Sequence, residues 1–430
     1  MNFEKICVLG LGYIGLPTAS TFATHCMQVT GVDVNPQIVN TLRNGGLHIQ
    51  EPGLRTLVQA AIGSGNLTIS DEPEFADAFI IAVPTPLLED KKADLSYVRS
   101  AAESIVPVLR LNNLVVLEST SPPRTTVDVV APILERSGLK AAVDFHLVYS
   151  PERVLPGQIL RELIENARVI GGIDRGSAEA GRELYAIFTR GEIILTDATT
   201  AEMVKLMENT QRDVNIATAN EFSRLADRFG IDVWEAISMA NLHPRIAILN
   251  PGPGVGGHCV GVDPWFLVEA APDLTALIRT ARRVNDEQPK YVLELIQRGL
   301  GVSSSLDLAG KRITVLGLAY KADVDDLRES PALKVVELLS ESGALVRVYE
   351  PYVEEIEIPN IECAPDIIST VQDAELIALL VAHTPLRNLD PLDLIKMTDA
   401  RVAVDAVNGW SVEKWQGAGF KFIRLGASTL

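Results

Sequence analysis

The segment NPGPGVGGHCVGVDPWF, residues 250–266, sets Cys259 in a glycine-rich loop. Ordering such flexible backbone is costly in entropy, so the composition indicates that another group must approach the loop closely. A thiol reacts as its thiolate, which backbone N–H groups and nearby cations stabilise. Cys259 is therefore interpreted as a nucleophile, in contrast to Cys7, which stands in an apolar run typical of a buried structural cysteine.

No metal site is expected at this loop. His258 precedes Cys259, but no second His or Cys follows at the spacing of a zinc site. The four cysteines of the chain form no CxxC pair and no disulfide ladder. This usage indicates a reducing compartment, and the cytoplasm is the predicted location.

A long helix is predicted before this loop. Thr199 and Glu202 have the spacing of a capping box, and Gly230 is typical of a helix end. The helix is therefore expected from about 200 to 229.

A polar stripe follows helical spacing on this predicted helix. Apolar residues flank Lys205, which favours a functional lysine at a buried rim over one on a solvated face. For the rest of the stripe, the functional and the solvated interpretation are equally open. Those residues are Asn209, Arg212 and Asp213.

A dinucleotide site is predicted in the first third of the chain. After the apolar run KICVL, Gly10, Gly12 and Gly15 have the GxGxxG spacing, which allows a tight turn, close approach of backbone to a pyrophosphate and close helix packing. Asp33 ends the next apolar run, where an acid bonds a ribose 2′-hydroxyl and repels a 2′-phosphate. The pattern predicts NAD rather than NADP. A glycine turn without a ligand is the alternative interpretation.

Further apolar runs alternate with helical stretches, which predicts a parallel sheet covered on both faces. Ligands of such sheets lie beyond the carboxyl ends of the strands. The runs are 78–86, 114–123, 145–157 and 192–197. The polar residues expected at this edge are Thr85, Thr120, Glu152 and Arg153.

The segment 311–351 repeats the order of strand, turn, helix, strand and acid. Its turn keeps the first glycine as Gly317, but Ala319 stands at the second glycine position. Because a methyl group replaces the point of close approach, this half is not expected to bind a dinucleotide in the same way. Lys321 and Arg328 lie at the same turn, and two cations in an acidic chain suggest another anionic ligand or a reach toward the NAD.

The predicted fold class is α/β, with two Rossmann-like, doubly wound parallel-sheet domains joined by a central long-helix region. A chain of 430 residues is too long for one compact core. The expected domain bounds are 1–197, 198–298 and 299–430.

Charge and composition exclude several classes of function. A net charge of −18 argues against a nucleic-acid partner, which requires a basic face. Residues 6–32 carry no charged side chain, but glycines, threonines and a proline interrupt them, so buried soluble structure is favoured over a membrane span.

Long motifs in this chain resemble those of the UDP-glucose/GDP-mannose dehydrogenase family, and the likeness covers nearly the whole chain. The motifs occur in the order GLGYIGLP, ESTSPP, SPERVLPG, AEMVKLMEN, HPR, GPGVGGHCVGVDPWF, GLAYK and DDLRESPA. The resemblance implies oxidation of the C6 alcohol of a nucleotide sugar to a carboxylate, with two NAD per turnover and one cysteine. It also implies a homodimer paired through the central helices, in which the HPR arginine can serve the neighbouring site.

The resemblance also implies roles for individual residues. Cys259 would bind the sugar covalently, Lys205 would exchange the hydroxyl proton, and Asn209 would hold the oxyanion. Asp263 would order a lysine or a water, and Glu152 would assist hydrolysis. The implied NAD contacts are Gly10, Gly12, Tyr13, Ile14, Gly15, Asp33, Thr85, Thr120 and Arg328. The implied UDP-sugar contacts are Arg153, Val154, Lys205, Asn209, Arg212, His243, Arg245, Gly256, Tyr320 and Lys321.

Two departures from the glucose-specific members bear on the substrate. Val262 stands where they carry a lysine, and His258 stands where they carry a small residue. Both changes favour a 2-acetamido sugar. The alternatives are the same chemistry on UDP-N-acetylglucosamine or UDP-glucose, and a nucleotide-binding regulator without turnover.

Overall fold

The computed structural model describes residues 3–257, 259–353, 356–359 and 361–427. The chain divides into two compact units. Unit 1 comprises Met1–Glu208 and Trp265–Leu274, and unit 2 comprises Asn209–Pro264 and Thr275–Leu430. The division into three domains, at 197 and 298, remains a prediction.

Unit 1 is built on an eight-stranded sheet in its described residues. The strands are β1 (Lys5–Leu9), β2 (Gln28–Val32), β3 (Leu67–Ser70), β4 (Ala78–Ile81), β5 (Leu114–Leu117), β6 (His146–Tyr149), β7 (Arg168–Gly172) and β8 (Ile193–Asp197). The helices are α1 (Gly15–Thr24), α2 (Pro36–Arg43), α3 (Leu54–Gly63), α4 (Ser96–Ile105), α5 (Ala131–Leu134), α6 (Ile159–Glu165) and α7 (Arg175–Tyr185).

The strand order in this sheet is β3-β2-β1-β4-β5-β6-β7-β8. Strands β1 to β6 are parallel, which confirms the predicted doubly wound class. Strand β7 pairs antiparallel with β6, and β8 runs parallel to β7. The sequence did not predict β7 or this reversal, which brings the first residue of β7 to the carboxyl end of β6.

Alternate residues of β1 enter two different core layers. Ile6 packs with Phe22 of α1 on one face of the sheet, whereas Cys7 packs with Phe79 on the other. Because both faces are apolar, helices cover both sides of the sheet. Burial raises the pKa of the Cys7 thiol to about 12, so this cysteine is structural, as predicted.

Between the two sheets, the described part of the chain forms five α-helices. They are α8 (Ala198–Phe229), α9 (Val233–Ala240), α10 (Asp263–Ala270), α11 (Ala276–Asp286) and α12 (Gln288–Leu300). The predicted long helix is confirmed as α8, which ends at Gly230 in the left-handed conformation, with φ of +67°. No helix among the described residues is both long enough and apolar enough to cross a membrane.

The predicted capping box of α8 is wrong. Asp197 caps the helix, since its carboxylate accepts hydrogen bonds from the N–H of Thr200 at 2.9 Å and from its hydroxyl at 2.6 Å. Glu202 is buried and accepts from the backbone N–H of Thr126 at 2.8 Å. Its carboxylate therefore satisfies a distant turn instead of its own helix.

Unit 2 holds a six-stranded, parallel sheet in its described residues, with the order β11-β10-β9-β12-β13-β14. The strands are β9 (Arg312–Leu316), β10 (Leu345–Tyr349), β11 (Glu362–Cys363), β12 (Leu376–Leu379), β13 (Val402–Asp405) and β14 (Lys421–Arg424). The helices are α13 (Pro331–Glu341), α14 (Ile367–Val371), α15 (Thr384–Arg387), α16 (Pro391–Met397) and α17 (Val412–Gly417). Two core layers again lie on opposite faces of the sheet.

The first glycine turn gives a stability prediction. Gly10 has a φ of +91°, and a Cβ there would lie 2.5 Å from the carbonyl oxygen of Ala82, whereas a Cβ at Gly12 would meet no atom within 4 Å. Gly10→Ala is expected to lower the free energy of unfolding of unit 1 by about 1–3 kcal/mol. Gly12→Ala, the matched control, is expected to change it by less than about 1 kcal/mol. Thermal unfolding of the two variants tests this, and equal melting temperatures would contradict it.

Candidate active site

The turn between β1 and α1 has the shape that a dinucleotide requires. The N–H of Leu11 donates to the Asp33 carboxylate at 2.9 Å, which fixes the predicted ribose-binding acid beside the turn. A Cβ at Gly12 would enter open space, whereas one at Gly15 would overlap the carbonyl of Gly10. Gly12 thus leaves room for a ligand, and Gly15 allows close packing of the helix. The turn fits NAD.

The two predicted threonines lie together at the carboxyl edge of the first sheet. Thr85 follows β4 and Thr120 follows β5, and the Thr85 hydroxyl donates to the Thr120 carbonyl oxygen at 2.6 Å. Their contact supports the prediction that this edge lines one site. Their contact with NAD remains a prediction.

Glu152 follows β6 at the same edge and is buried. Its carboxylate accepts from the N–H of Arg153 at 2.6 Å and from the guanidinium of Arg168 at 3.3 Å. The Arg153 guanidinium forms an ion pair with Glu208 at 2.6 Å. Arg168 was missed by the sequence analysis, because a single arginine at the start of an apolar run carries no signal of a distant carboxylate.

Lys205 lies on α8 and is only 9% exposed. The predicted burial is therefore confirmed for this lysine. A buried ammonium group requires polar partners or a ligand, which is consistent with a role in proton transfer.

In unit 2, the loop that carries Cys259 turns directly into α10. The carbonyl oxygen of Cys259 accepts from the N–H groups of Val262 and Asp263, at 3.1 and 2.8 Å. The side chain of Cys259 is exposed. Asp263 is buried and accepts from the Asn209 amide at 2.5 Å. The structure therefore links the predicted catalytic residues Asn209 and Asp263 by a hydrogen bond and links Asp263 to the backbone of Cys259. His258 lies outside the described residues.

Three glycines of this loop lie against the C-terminal part of unit 2. A Cβ at Gly256 would lie 2.6 Å from Pro331, and one at Gly257, where φ is +83°, would lie 2.9 Å from the Tyr320 ring. A Cβ at Gly254 would lie 2.9 Å from Pro331. These glycines are required for close packing within the protein. Close approach of a substrate to this loop stays a prediction.

A buried polar network ties this loop to α8 and α11. The Asn220 amide oxygen accepts from the N–H of Gly252 at 2.9 Å, and its nitrogen donates to Asn285 at 2.9 Å. Asn285 donates to Asp213 at 2.8 Å, and Arg282 pairs with the same carboxylate at 2.5 Å. Burial raises the pKa of Asp213, while Arg282 and Asn285 oppose the rise. Asp213 thus supports the loop from within, so the solvated interpretation of this residue is wrong.

The exposed HPR segment is held from two sides. His243 and Arg245 follow α9, and the Asn241 amide both accepts from the N–H of Ile248, at 2.8 Å, and donates to its carbonyl oxygen, at 2.9 Å. Asn215 of α8 donates to the carbonyl oxygen of Ala247 at 2.8 Å. Two asparagine amides thus fix the loop while His243 and Arg245 stay exposed.

The second glycine turn is closed from within. The carboxylate of Glu350, at the end of β10, accepts from the N–H groups of Leu318 and Ala319, at 2.7 and 3.0 Å. The imidazole of His383 contacts the same carboxylate at 3.0 Å. Burial opposes ionisation of Glu350, but these hydrogen bonds are sufficient to lower its pKa. The closed turn supports the prediction that this half does not bind a dinucleotide in the manner of the first.

The cations predicted near this turn have different environments. The guanidinium of Arg328 donates twice to Asp326 of the same loop, at 2.8 and 2.7 Å, and is half-exposed. Lys321 is partly buried beside Tyr320 in the sequence. Among the described residues, no group of three or more His, Cys, Asp or Glu side chains has the geometry of a metal site.

An open GxGxxG turn followed by an acid, beside a second nucleotide-binding fold whose turn is closed, is typical of a dinucleotide-dependent enzyme. The models of the UDP-glucose/GDP-mannose dehydrogenase family match residues 4–189 as the NAD binding domain, 199–287 as the central domain and 314–411 as the UDP binding domain. The chain belongs to the UDP-glucose/GDP-mannose dehydrogenase family, and its cofactor is NAD.

The chain is also similar to individual members of the family over nearly its whole length. The chain is 46% identical to a UDP-N-acetyl-D-mannosamine dehydrogenase of Methanococcus maripaludis, over 99% of this chain and 97% of the relative. It is also 46% identical to an NDP-N-acetyl-D-galactosaminuronic acid dehydrogenase of Ralstonia solanacearum, over 96% of this chain and 98% of the relative. The solved structure of the UDP-D-ManNAc dehydrogenase from Pyrococcus horikoshii matches with a TM-score of 0.92 and 39% identity, over 99% of this chain and all of that one.

The packing of the cysteine loop gives a paired prediction. A Cβ at Gly256 would lie 2.6 Å from both Pro331 and the carbonyl oxygen of Glu329, whereas one at Gly252 would meet no atom within 4 Å. Gly256→Ala is expected to displace the cysteine and lower kcat/KM by about 100-fold. Gly252→Ala is the matched control and should retain the parental rate. Steady-state NADH formation tests the pair, and equal rates would show that the packing is not required.

Asp33, the predicted ribose-binding residue, gives a prediction on cofactor choice. Asp33→Ala removes a hydrogen-bond acceptor for the ribose and a charge that repels a 2′-phosphate, so the KM for NAD should rise about 10- to 100-fold while NADP is affected less. Asp33→Asn keeps an acceptor for the N–H of Leu11 and serves as the control for turn geometry. Equal losses with the two coenzymes would contradict the assignment.

Proposed function

We propose that the chain oxidises the C6 alcohol of UDP-N-acetyl-D-mannosamine to the carboxylate and so forms UDP-N-acetyl-D-mannosaminuronate. The likeness to mannosamine dehydrogenases over nearly the whole chain supports the substrate. The chemistry is carried by one observation, the exposed Cys259 at a turn that is followed by Asp263, whose buried carboxylate is hydrogen-bonded to Asn209.

The first oxidation requires a group that removes the hydroxyl proton. NAD, when bound, accepts hydride from C6 in each of the two oxidation steps. Lys205 is the proposed proton acceptor, because it is a buried amine on a rigid helix. Asn209 donates a hydrogen bond to the oxygen on which negative charge develops.

The second oxidation requires covalent capture of the aldehyde. The Cys259 thiolate adds to the carbonyl carbon and forms a thiohemiacetal, whose oxidation leaves a thioester. Water then attacks the thioester carbon, Glu152 accepts a proton from this water, and the thiolate leaves. Covalent capture keeps the aldehyde on the enzyme between the two oxidations.

The contacts with the nucleotide sugar and the dinucleotide are proposed as the family resemblance implies. Exposed apolar residues at helical spacing on α8, namely Phe222, Leu225 and Phe229, support a homodimer that pairs through this helix and shares its active sites. The protein is proposed to act in the cytoplasm, in polysaccharide biosynthesis.

The similarity to a second kind of dehydrogenase favours an alternative substrate. The Ralstonia relative named for an N-acetylgalactosamine-type sugar is as similar to this chain as the mannosamine dehydrogenase. Comparison of kcat/KM on UDP-N-acetylmannosamine, UDP-N-acetylgalactosamine, UDP-N-acetylglucosamine and UDP-glucose separates these possibilities, because each pair differs at one or two ring positions. Binding of NAD and sugar without NADH formation would instead indicate a regulator without turnover.

The covalent step gives the central prediction. The parent should release two NADH per sugar consumed, and Cys259→Ser should stall after the first oxidation or accumulate an adduct, with uronate formation reduced at least about 1,000-fold. Coupled measurement of NADH by absorbance and of uronate by mass spectrometry tests this. Cys26→Ser, at an exposed cysteine of unit 1, is the control and should behave as the parent. Uronate formation at the parental rate by Cys259→Ser would overturn the covalent role.

A further inference from the structure

A buried cluster with one cation and two carboxylates lies at the carboxyl edge of the first sheet. Glu118 directly follows β5, Glu152 follows β6, and Arg168 begins β7. Because β7 runs antiparallel to β6, its first residue meets the ends of the other two strands. The reversal of this one strand is what places the guanidinium between the carboxylates.

The Arg168 guanidinium bridges the two acids. It donates to Glu118 at 3.1 Å and to Glu152 at 3.3 Å, with a further bond to the Ser150 hydroxyl at 3.2 Å. The Tyr185 hydroxyl donates to the same Glu118 oxygen at 2.9 Å, and the Arg168 guanidinium stacks 4.3 Å from the Tyr185 ring centroid. All of these residues are buried.

Glu118 has no direct part in the proposed reaction. Its second carboxylate oxygen is buried and has no hydrogen-bond partner among the described residues. A buried carboxylate with one unsatisfied oxygen is costly, and a leucine or glutamine would fill this position at the end of β5 without that cost. Its presence between Arg168 and Tyr185 therefore calls for a reason beyond packing.

The charges of the cluster do not cancel when both acids are ionised. Burial raises the pKa of Glu118 to about 7, the negative charge of Glu152 acts in the same direction, and the charge of Arg168 opposes both. The hydroxyl of Tyr185 also favours the ionised form. These are the titratable groups that face Glu118 from β6, β7 and α7. Glu118 therefore changes charge in the neutral range, where the other carboxylates of an enzyme are usually ionised.

We propose that Glu118 is a positioning residue for Glu152, acting through the shared Arg168 guanidinium to orient the Glu152 carboxylate. This inference rests on the proposed function, in which Glu152 acts in thioester hydrolysis. In that step a water oxygen bonds to the thioester carbon, the carbon–sulfur bond breaks, and sulfur leaves as thiolate. One water proton passes to Glu152, and no electrons are exchanged with a cofactor.

The direction of the pH effect follows from the shared guanidinium. With Glu118 protonated, the Arg168 guanidinium pairs with Glu152 alone and competes with the attacking water for the Glu152 carboxylate. With Glu118 ionised, the guanidinium is divided between the two acids, so the Glu152 carboxylate is more available to the water. Hydrolysis should therefore accelerate as pH rises through the ionisation of Glu118.

Rapid-quench kinetics with NAD and UDP-N-acetylmannosamine test the inference. The first NADH burst reports oxidation, and mass spectrometry of the quenched protein follows the acyl group on Cys259. Glu118→Gln is expected to keep the burst, to slow decay of the acyl enzyme about tenfold at neutral pH, and to lose the inflection of that decay near neutrality. Glu202→Gln, which changes another buried carboxylate of unit 1, should leave the decay and its inflection in place.

A second variant tests the inference even if Glu118→Gln does not fold. Tyr185→Phe removes one hydrogen bond from Glu118 and keeps the ring beneath Arg168, so the inflection should move to higher pH. A decay profile identical to the parent in both variants, or an equal loss of burst and decay in Glu118→Gln, would overturn the positioning role alone. Absence of any acyl group on Cys259 in the parent would overturn the proposed function and this inference together.

Discussion

The interaction on which both sheets depend is a carboxylate that accepts backbone N–H groups at a turn. Parallel strands end at one edge, where the turns leave N–H donors that no neighbouring strand can satisfy. A carboxylate from elsewhere in the same unit meets that need and fixes the turn. This arrangement recurs at Asp33 with Leu11, at Glu51 with Gly157 and Ile159, at Glu202 with Thr126, and at Glu350 with Leu318 and Ala319.

Small changes in this interaction separate the two nucleotide-binding folds. Asp33 is partly exposed, takes one N–H of its turn with one oxygen and accepts from the N–H of Asn35 at 2.9 Å with the other. The space at Gly12 is open to a ligand. Glu350 has one more methylene, takes two N–H groups, and is enclosed by His383. With Ala319 in place of the second glycine, the same backbone becomes a structural turn. Topology therefore does not determine which half binds the dinucleotide; the side chains at the turn do.

The features that the sequence predicts are those set by local order. Apolar runs indicate the strands, and helical spacing with Gly230 at its end indicates α8, because residues close in the chain determine both. The partners of buried charged groups are not set by local order. Glu202 bonds to Thr126, which is 76 residues away in the chain, and Arg168 bonds to Glu118, which is 50 residues away. Neither pairing, nor the reversal of β7, has a periodic signal. The carboxylate at 202 matched a local capping rule and instead serves a distant turn.

Two cysteines of this chain, Cys7 and Cys259, differ in exposure and in how their surroundings are built. Cys7 is buried within the first sheet, and its raised pKa keeps it protonated and unreactive. Cys259 is exposed, yet its loop is fixed by glycines that pack on Tyr320 and Pro331 and by the Asn220 amide. Exposure is consistent with the proposed role of Cys259 as a nucleophile, and the contacts of the glycines and of Asn220 fix the backbone of its loop. Gly254, Gly256 and Gly257 therefore serve to anchor the loop that carries the cysteine.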